Sequence, residues 1–455
     1  MMEASETSDA NASTEITATQ SPEQPEEDNS TKNSQHTMLE LPEWLQRVDS
    51  FIKEYFKMEE RRVTIKSEVF AGFLHFISCF YVLSLVPDAM AEAGFDSTNV
   101  TIVCSLMAGI GSILIGLLSN LPVMAAPPTS IAIFLSRYLL TRNYDYKVGQ
   151  CAIMLSGIGI VLLAFRPIHQ LLNNMIPRCI QYGTAVGIGL LTVFTGCERV
   201  NLLVDGSPTS LIKMGPLTME VYLVLGGFCL IAILLHNSVK GTFIICLIIN
   251  SIVWWCYTSS LPVQLVDVPQ VGFTGWNEEK FWRTLGSDGT VLAFDLMFLY
   301  VLNLHGQARA FADLSGLTQT TLIEDGQGRE FEVKTIPKGR WLYVICGAVT
   351  ICSGFFGGPP ILISSESGAA IAAGAKTGLS AIIGGTLIVF TAFFYPLLES
   401  IPSAALSPVQ IAIGAMIFHN VTRVNWSKYS EAFPTFIILF FIPYTAVLNG
   451  VFLGW

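Results

Sequence analysis

The sequence predicts an all-α, polytopic membrane protein built as two inverted repeats of seven segments. Of its 455 residues, 51% are hydrophobic and only 13% are charged, whereas about a quarter of the residues in a soluble domain are charged. The apolar residues fall into successive runs near the length of a membrane-spanning helix, which is about 20 residues. Two of these runs, at matching places in the two halves, are interrupted by a Pro-Pro pair. Together these features predict the seven-plus-seven transporter fold with a broken third and tenth segment.

The N-terminal part of the chain differs from the rest. Residues 1–44 are rich in Glu, Ser, Thr, Asn and Gln, which predicts a disordered acidic tail. The start has neither the positive charge nor the apolar core of a signal peptide. Residues 45–66 place Val48, Phe51 and Tyr55 at helical spacing beside basic residues, which favours an amphipathic helix in the membrane interface. A simple juxtamembrane spacer is the alternative.

The transporter domain is expected over residues 67–455, with repeats at about 67–262 and 289–455. A last run begins near Val451 and is cut off at Trp455, so the final helix is truncated. Most Lys and Arg residues of the short loops lie on one side if the N-terminus is cytoplasmic, and the plasma membrane is the expected location. The full apolar runs are 69–90, 99–118, 122–139, 148–165, 179–196, 219–235, 241–260, 289–311, 341–356, 358–375, 378–397, 401–418 and 431–447.

The Pro-Pro pairs, Pro127–Pro128 and Pro359–Pro360, stand inside the third and tenth runs. Proline cannot donate a backbone hydrogen bond and clashes within a helix, so each helix should stop there. Unpaired backbone at membrane depth is tolerated only inside protein or along a cavity. We therefore expect two half-helices to meet near the midplane and to direct their N–H groups at a substrate, with Thr129 and Ser130 as contacts. Two ordinary proline kinks are the alternative.

Glu366 follows the second Pro-Pro pair and stands among Ser364, Ser365 and Ser367. A carboxylate inside a membrane segment is costly and is usually functional. We expect it to accept hydrogen bonds from ring N–H or amino groups of a substrate, and to carry a proton. Ser365 and Ser367 are expected to contact the substrate beside it. A structural hydrogen bond to a neighbouring helix is the alternative role.

The eighth run carries further polar residues. Asp295 and Asn303 share one helix face, about 12 Å apart at 1.5 Å per residue, and Gln307 lies one turn beyond Asn303. Asn303 is predicted to contact the substrate at mid-depth. Asp295, expected nearer the outer surface and solvated, is a second candidate for proton coupling. For His305, helix packing and a proton relay remain open.

The ten cysteines form no CxxC pair and no Cys/His metal spacing, so they are predicted to be small packing residues. No metal site, cofactor or disulfide framework is expected. No Ser/His/Asp set or Gly-rich phosphate loop points to an enzyme. The net charge of −10 gives no reason to expect a nucleic-acid partner.

Several motifs resemble those of one transporter family. They are TIKSEVFAG at 64–72, AVGIGL at 185–190, ESGA at 366–369 with KTGL at 376–379, and NW at 425–426 with EAFP at 431–434. From Phe56 to Trp455 the chain resembles the nucleobase–cation symporter superfamily, which includes the xanthine/uracil permeases, and within it the adenine/guanine/hypoxanthine permease branch. The resemblance implies a core and a gate domain, import of purines or pyrimidines with protons, and a substrate-contacting role for Glu366.

The chain departs from this branch at two places. Where the branch has VDxxDTxGT, residues 299–307 read LYVLNLHGQ, so Tyr300 and Asn303 replace two acids. Where it has APGMGxNAYF, residues 126–134 read APPTSIAIF. Two alternatives therefore stay open beside a nucleobase–proton symporter: an anion transporter of the sulfate-permease type, and a non-transporting scaffold or receptor. The oligomeric state is also open, with a homodimer as one option.

Overall fold

A computed structural model of the protein describes residues 43–164, 178–205, 212–262, 264–272, 288–317, 319–324, 330–336 and 338–445. The predicted acidic tail, except for its last two residues, lies outside these ranges, as does the truncated run near Val451. Contacts divide the chain into two units, 1–50 and 51–455. The larger unit contains all of the membrane-spanning segments.

Every other predicted apolar run coincides with a helix or with a broken segment. Helix α1 (Glu43–Tyr55) precedes the first repeat. In the first repeat the elements are α2 (Ile65–Cys79), α3 (Val82–Ala91), α4 (Ser97–Ser119), β1 (Ala125–Ala126), α5 (Thr129–Arg142), α6 (Tyr146–Leu163), α7 (Arg178–Arg199), β2 (Leu203–Asp205), β3 (Ile212–Met214), α8 (Met219–His236) and α9 (Thr242–Thr258). In the second they are α10 (Asp288–Leu314), β4 (Gln319–Glu324), β5 (Glu330–Thr335), α11 (Arg340–Phe355), β6 (Leu362–Ile363), α12 (Ser367–Ala372), α13 (Gly378–Thr391), α14 (Tyr395–Glu399), α15 (Ser403–Phe418) and α16 (Tyr429–Thr445).

The spans Ile65–Ala91, Ser97–Ser119, Met219–His236, Gly378–Glu399 and Ser403–Arg423 are long and apolar enough to cross a membrane. Several shorter apolar helices lie among them.

Local chemistry sets the ends of α4. Its first turn is capped by Asp96, whose carboxylate accepts the N–H of Thr98 at 3.2 Å. It ends at Asn120, in the left-handed conformation with φ of 52°, which asparagine tolerates better than most residues.

The helix packing shows the inverted repeat. In an inverted repeat of seven segments, a contact between segment i of the first half and segment j of the second half has a counterpart between segments i+7 and j−7. The helix contacts follow this rule. The second segment (α4) packs on the eleventh (α13), and the ninth (α11) packs on the fourth (α6). In the same way, the first (α2) packs on the eleventh while the eighth (α10) packs on the fourth. The fifth (α7) packs on the thirteenth (α16) while the twelfth (α15) packs on the sixth (α8).

The same contacts sort the helices into two groups. The core group consists of α2–α6 and α10–α13, and the gate group consists of α7–α9, α15 and α16. The groups touch each other through α5 with α7, α3 with α15, and α2 with α9. This arrangement matches the core and gate domains that the family resemblance implies.

Glycine allows the closest packing in the core group. A Cβ atom on Gly116 of α4 would lie 2.4 Å from the carbonyl oxygen of Gly378, at the start of α13. One on Gly109 would lie 2.7 Å from the carbonyl oxygen of Gly385. In a membrane, helices associate through van der Waals packing, and small residues let their backbones approach. The glycines of α4 and α13 therefore set the spacing between the two repeats.

Glu68 ties the start of α2 to the start of α13. Its side chain is fully buried, and Oε1 accepts the N–H groups of Lys376 at 2.9 Å and Thr377 at 3.2 Å. Nearby, Arg61 donates to the carbonyl oxygens of Asn120 and Lys376 at 2.7 and 2.6 Å. Burial lowers the pKa of the Arg61 guanidinium, and the Glu68 carboxylate acts in the opposite direction. Two of the family-like motifs, 64–72 and 376–379, are thus in direct contact.

Candidate substrate-binding site

The two broken segments face each other at the centre of the fold, as predicted. Strands β1 and β6 pair antiparallel, with Ala125 opposite Ile363. The N–H of Ser364 donates to the carbonyl oxygen of Met124 at 2.8 Å, and the N–H of Met124 donates to Ser367 Oγ at 3.0 Å. Each segment is a short strand followed by a half-helix, so the alternative of two kinked continuous helices is wrong.

Equivalent hydroxyl groups satisfy the backbone of the two strands. Ser112 of α4 accepts the N–H of Ala125 at 2.9 Å and donates to its carbonyl oxygen at 3.1 Å. Thr350 of α11 accepts the N–H of Ile361 at 3.1 Å and donates to its carbonyl oxygen at 2.8 Å. Since α4 and α11 are the second and ninth segments, the repeat extends to these hydrogen bonds. They supply the pairing that non-helical backbone needs at membrane depth.

Three hydroxyl groups hold the Glu366 carboxyl. Tyr81 donates to Oε1, and Ser364 and Ser365 donate to Oε2 at 2.6 and 3.0 Å. Tyr81 stands between α2 and α3, is almost wholly buried, and packs its ring on Phe243 at 5.2 Å. An ionised carboxylate accepts hydrogen bonds and donates none, so this set of donors is complementary to the charged form.

Glu366 lines a cavity of about 830 Å³ between the core and gate groups, which is within the range of small-molecule sites. Thr129, Ser130, Asn303 and Ser365 also line it. The structure therefore brings together five of the six residues predicted to bind substrate.

Two predicted residues lie elsewhere. Ser367 is fully buried and is not among the cavity-lining residues; its hydroxyl oxygen accepts the N–H of Met124. Asp295 is only 1% exposed, so its expected solvation is wrong: the packed helices bury this side chain. It does not line the cavity either. The side chain of His305 lies outside the described residues.

Polar atoms without partners mark a second part of the cavity wall. Within the described residues, the side-chain oxygens of Asn303, Gln307 and Thr184 are buried and have no hydrogen-bond partner, and all three residues line the cavity. Buried polar atoms normally are paired, so such a group needs an explanation. A polar ligand in the cavity is one source of partners for such atoms.

The sequence reasoning missed Tyr81 and Thr184. A signal for Tyr81 was present, because tyrosine in membrane proteins is enriched at the interfaces, whereas Tyr81 stands in the middle of an apolar run. Thr184 had no such signal, since threonine is common inside membrane helices and only the packing shows its unpaired hydroxyl.

Solved structures with the same fold are known. The transmembrane domain of the cyanobacterial bicarbonate transporter BicA matches with a TM-score of 0.60 at 14% identity, covering 86% of this chain and 98% of that one. The murine anion transporter Slc26a9, in an inward-facing state, matches with a TM-score of 0.62 at 12% identity, covering 93% and 72%. At these identities the likeness shows the fold alone.

Relatives in sequence are permeases. The adenine permease AdeP of Escherichia coli K12 is 27% identical over 409 residues, which is 89% of this chain and 88% of AdeP. The guanine/hypoxanthine permease GhxP of Escherichia coli O157:H7 is 27% identical over 429 residues, 90% of each chain. The model of the xanthine/uracil permeases, described as "Permease family", matches residues 66–453. The chain therefore belongs to the xanthine/uracil permease family, whose members are transporters and not enzymes.

Proposed function

We propose that this protein is a proton symporter for nucleobases, with purines as substrates, and that the substrate binds in the cavity at Glu366. The observation that carries the proposal is the carboxyl of Glu366, held by three hydroxyl groups where two half-helices begin. The names of the relatives AdeP and GhxP support adenine, guanine and hypoxanthine as the substrates to test.

The cavity chemistry suits the edge of a purine. A ring N–H or amino group can donate to Glu366 in place of Ser365, whose side chain is exposed to the cavity. The amides of Asn303 and Gln307 can each accept and donate, which matches the alternating donors and acceptors of a base. The N–H groups at the start of α5, beside Thr129 and Ser130, can donate to a ring nitrogen or carbonyl oxygen.

Glu366 is also the proposed proton carrier. Tyr300 and Asn303 stand where the related branch has acids, and neither exchanges a proton near neutral pH. Asp295 lies away from the cavity wall. A proton on Glu366 turns one acceptor oxygen into a donor, so protonation and substrate binding involve the same two oxygens. That shared use couples the two events.

Anion transport is the second candidate. The fold is shared with a bicarbonate transporter and an anion transporter, and Lys240 lines the same cavity. The N-terminus of α5 would also favour a negative ligand. Glu366 opposes this function, because its charge would repel an anion.

The orientation belongs to the same proposal. The excess of Lys and Arg on the Lys240 side supports a cytoplasmic N-terminus, and the plasma membrane is the proposed location. The end of the cavity that Lys240 lines would then face the cytoplasm.

Uptake of labelled compounds tests this function. Cells that lack their own nucleobase permeases would express the chain and receive adenine, guanine, hypoxanthine, xanthine and uracil, with and without a proton gradient. We expect purine accumulation that the gradient drives. Transport of bicarbonate or sulfate without nucleobase uptake would favour the anion transporter. Tight purine binding without any uptake would favour the receptor.

A further inference from the structure

A cluster of charged side chains lies outside the cavity. Arg199 forms an ion pair with Asp88 at 2.7 Å and hydrogen bonds with Glu92 at 2.9 and 3.1 Å. Arg137 contacts Glu198 at 2.7 Å and Glu92 at 3.9 Å. Arg199 is only 7% exposed, which is rare for a charged side chain unless it is paired. We name these five residues the Arg199 cluster.

The cluster joins the two helix groups. Asp88 and Glu92 stand in and just after α3, and Arg137 is on α5, so these three belong to the core group. Glu198 and Arg199 end α7, which belongs to the gate group. Arg199 also donates to Gln410 Oε1 of α15 at 3.0 Å, and Gln410 in turn donates to Thr195 of α7 at 2.6 Å. The arginine is thus fixed within the gate group and pairs across to the core group.

The cluster lies at one end of the cavity. On α7 the cavity-lining residues extend from Tyr182 to Ile188, and Arg199 is eleven residues further on, about 16 Å along the axis. On α5 the lining residues are at its start, and Arg137 is further toward its end. Tyr81, directly before α3, lines the cavity, and Asp88 is further along α3. The opposite end of the cavity is lined by Lys240 and its neighbours between α8 and α9.

We call the side of the membrane at which α7 ends with Glu198 and Arg199 the Glu198 face, and the side at which Lys240 lies between α8 and α9 the Lys240 face. We propose that the Arg199 cluster closes the substrate path on the Glu198 face by tying the gate group to the core group. A substrate that leaves toward the Glu198 face must pass where α3, α5, α7 and α15 meet, so the ion pairs between them have to open first. The cluster therefore holds the state in which the cavity is accessible from the Lys240 face. Breaking it favours the state that opens to the Glu198 face.

Arg199 is the buried member of these ion pairs, at 7% exposed, whereas Asp88 and Glu92 are 34% and 31% exposed. Removing one partner of a buried ion pair leaves an uncompensated charge and is strongly unfavourable, whereas exposed pairs contribute little. When the groups separate, water can solvate the charges that the closed state holds together. Loss of the pair therefore favours separation of the two groups.

Sided labelling of a cavity residue tests the proposal without any substrate, so its failure is distinct from a failure of the nucleobase function. Ala185→Cys places a thiol on the cavity wall. A membrane-impermeant maleimide is added to either face of sealed vesicles, and peptide mass spectrometry measures modification at that position. In the otherwise native chain we expect labelling from the Lys240 face and slow labelling from the Glu198 face.

Arg199→Gln should raise the labelling rate from the Glu198 face by at least roughly tenfold. Asp88→Asn, nearly the same size and neutral, should change it in the same direction and serves if Arg199→Gln fails to fold. Lys147→Gln, which removes a cation near the same face without touching the cluster, should leave the rate unchanged. Native rates from the Glu198 face in the folded cluster variants would overturn the proposal. An equal rise from both faces would indicate general loosening and would also overturn it.

Discussion

Glu366→Gln tests the centre of the site. The substitution keeps the size of the side chain and removes its charge and its ability to exchange a proton. Glu366 now accepts three hydrogen bonds, from Tyr81, Ser364 and Ser365. In the glutamine variant one of the two terminal atoms is an NH₂ group, which donates and no longer accepts. At least one hydroxyl, and the donor of the substrate, then lose a charged acceptor.

The magnitude follows from the value of such a bond. A hydrogen bond to a charged group is worth about 1.5–3 kcal/mol, so losing one toward the substrate lowers transport efficiency roughly 10- to 150-fold. The assay is initial uptake of labelled adenine and hypoxanthine over a range of pH, with the amount of protein in the membrane measured in parallel. Glu60→Gln is the matched control. Glu60 is exposed and pairs only with Lys57 among the described ion pairs, so its substitution should leave uptake unchanged.

The pH dependence separates the two roles of Glu366. If it binds substrate and carries the proton, the variant should lose both efficient uptake and accumulation driven by the gradient. Uptake that matches the native protein at every pH would show that Glu366 is structural, and would refute the assignment.

The other predictions concern residues around this site and in the core group. Tyr81→Phe keeps the ring contact with Phe243 but removes one donor to Glu366, so transport efficiency should fall roughly tenfold or more; native uptake kinetics would contradict the role of Tyr81. Asp295→Asn should retain uphill uptake, measured as accumulation at acid pH, and Asn303→Asp should change its pH dependence by restoring an acid. Uphill uptake that survives Glu366→Gln but is lost in Asp295→Asn would move the proton site to α10. Gly116→Ala should destabilise the protein by about 1–3 kcal/mol because of overpacking, seen as a lower melting temperature in detergent. Gly226→Ala, where no atom lies within 4 Å of the added carbon, is its control and should melt like the native protein.

Much of the site's framework could be predicted from local sequence. Proline lacks the N–H that a helix needs, so it interrupts a helix in any fold. The Pro-Pro pairs therefore predict where both half-helices begin. Glu366 was identified for a similar reason, because an acid in an apolar run is conspicuous. Thr129 and Ser130 followed from their place directly after a break.

Residues whose roles depend on a particular face were harder to predict. Ser365 and Ser367 are two positions apart in the same motif, yet one lines the cavity and the other accepts the N–H of Met124. The direction of each side chain depends on the short strand pair that precedes α12, which sequence spacing does not specify. The spacing predicts a solvated Asp295 for the same reason, since it does not show that the packed helices bury this side chain.

The membrane class, the positions of the apolar segments and the two breaks can all be predicted from the amino-acid sequence. Each of these depends on a property that is local to a few or a few tens of residues: apolar length, proline geometry and the cost of a charge in lipid. Which distant groups meet is visible only in the folded protein. Tyr81 reaches Glu366 across 285 positions of the chain, and Arg199 reaches Glu92 across 107. Such contacts depend on how segments distant in the chain pack against each other, and no local pattern encodes that packing.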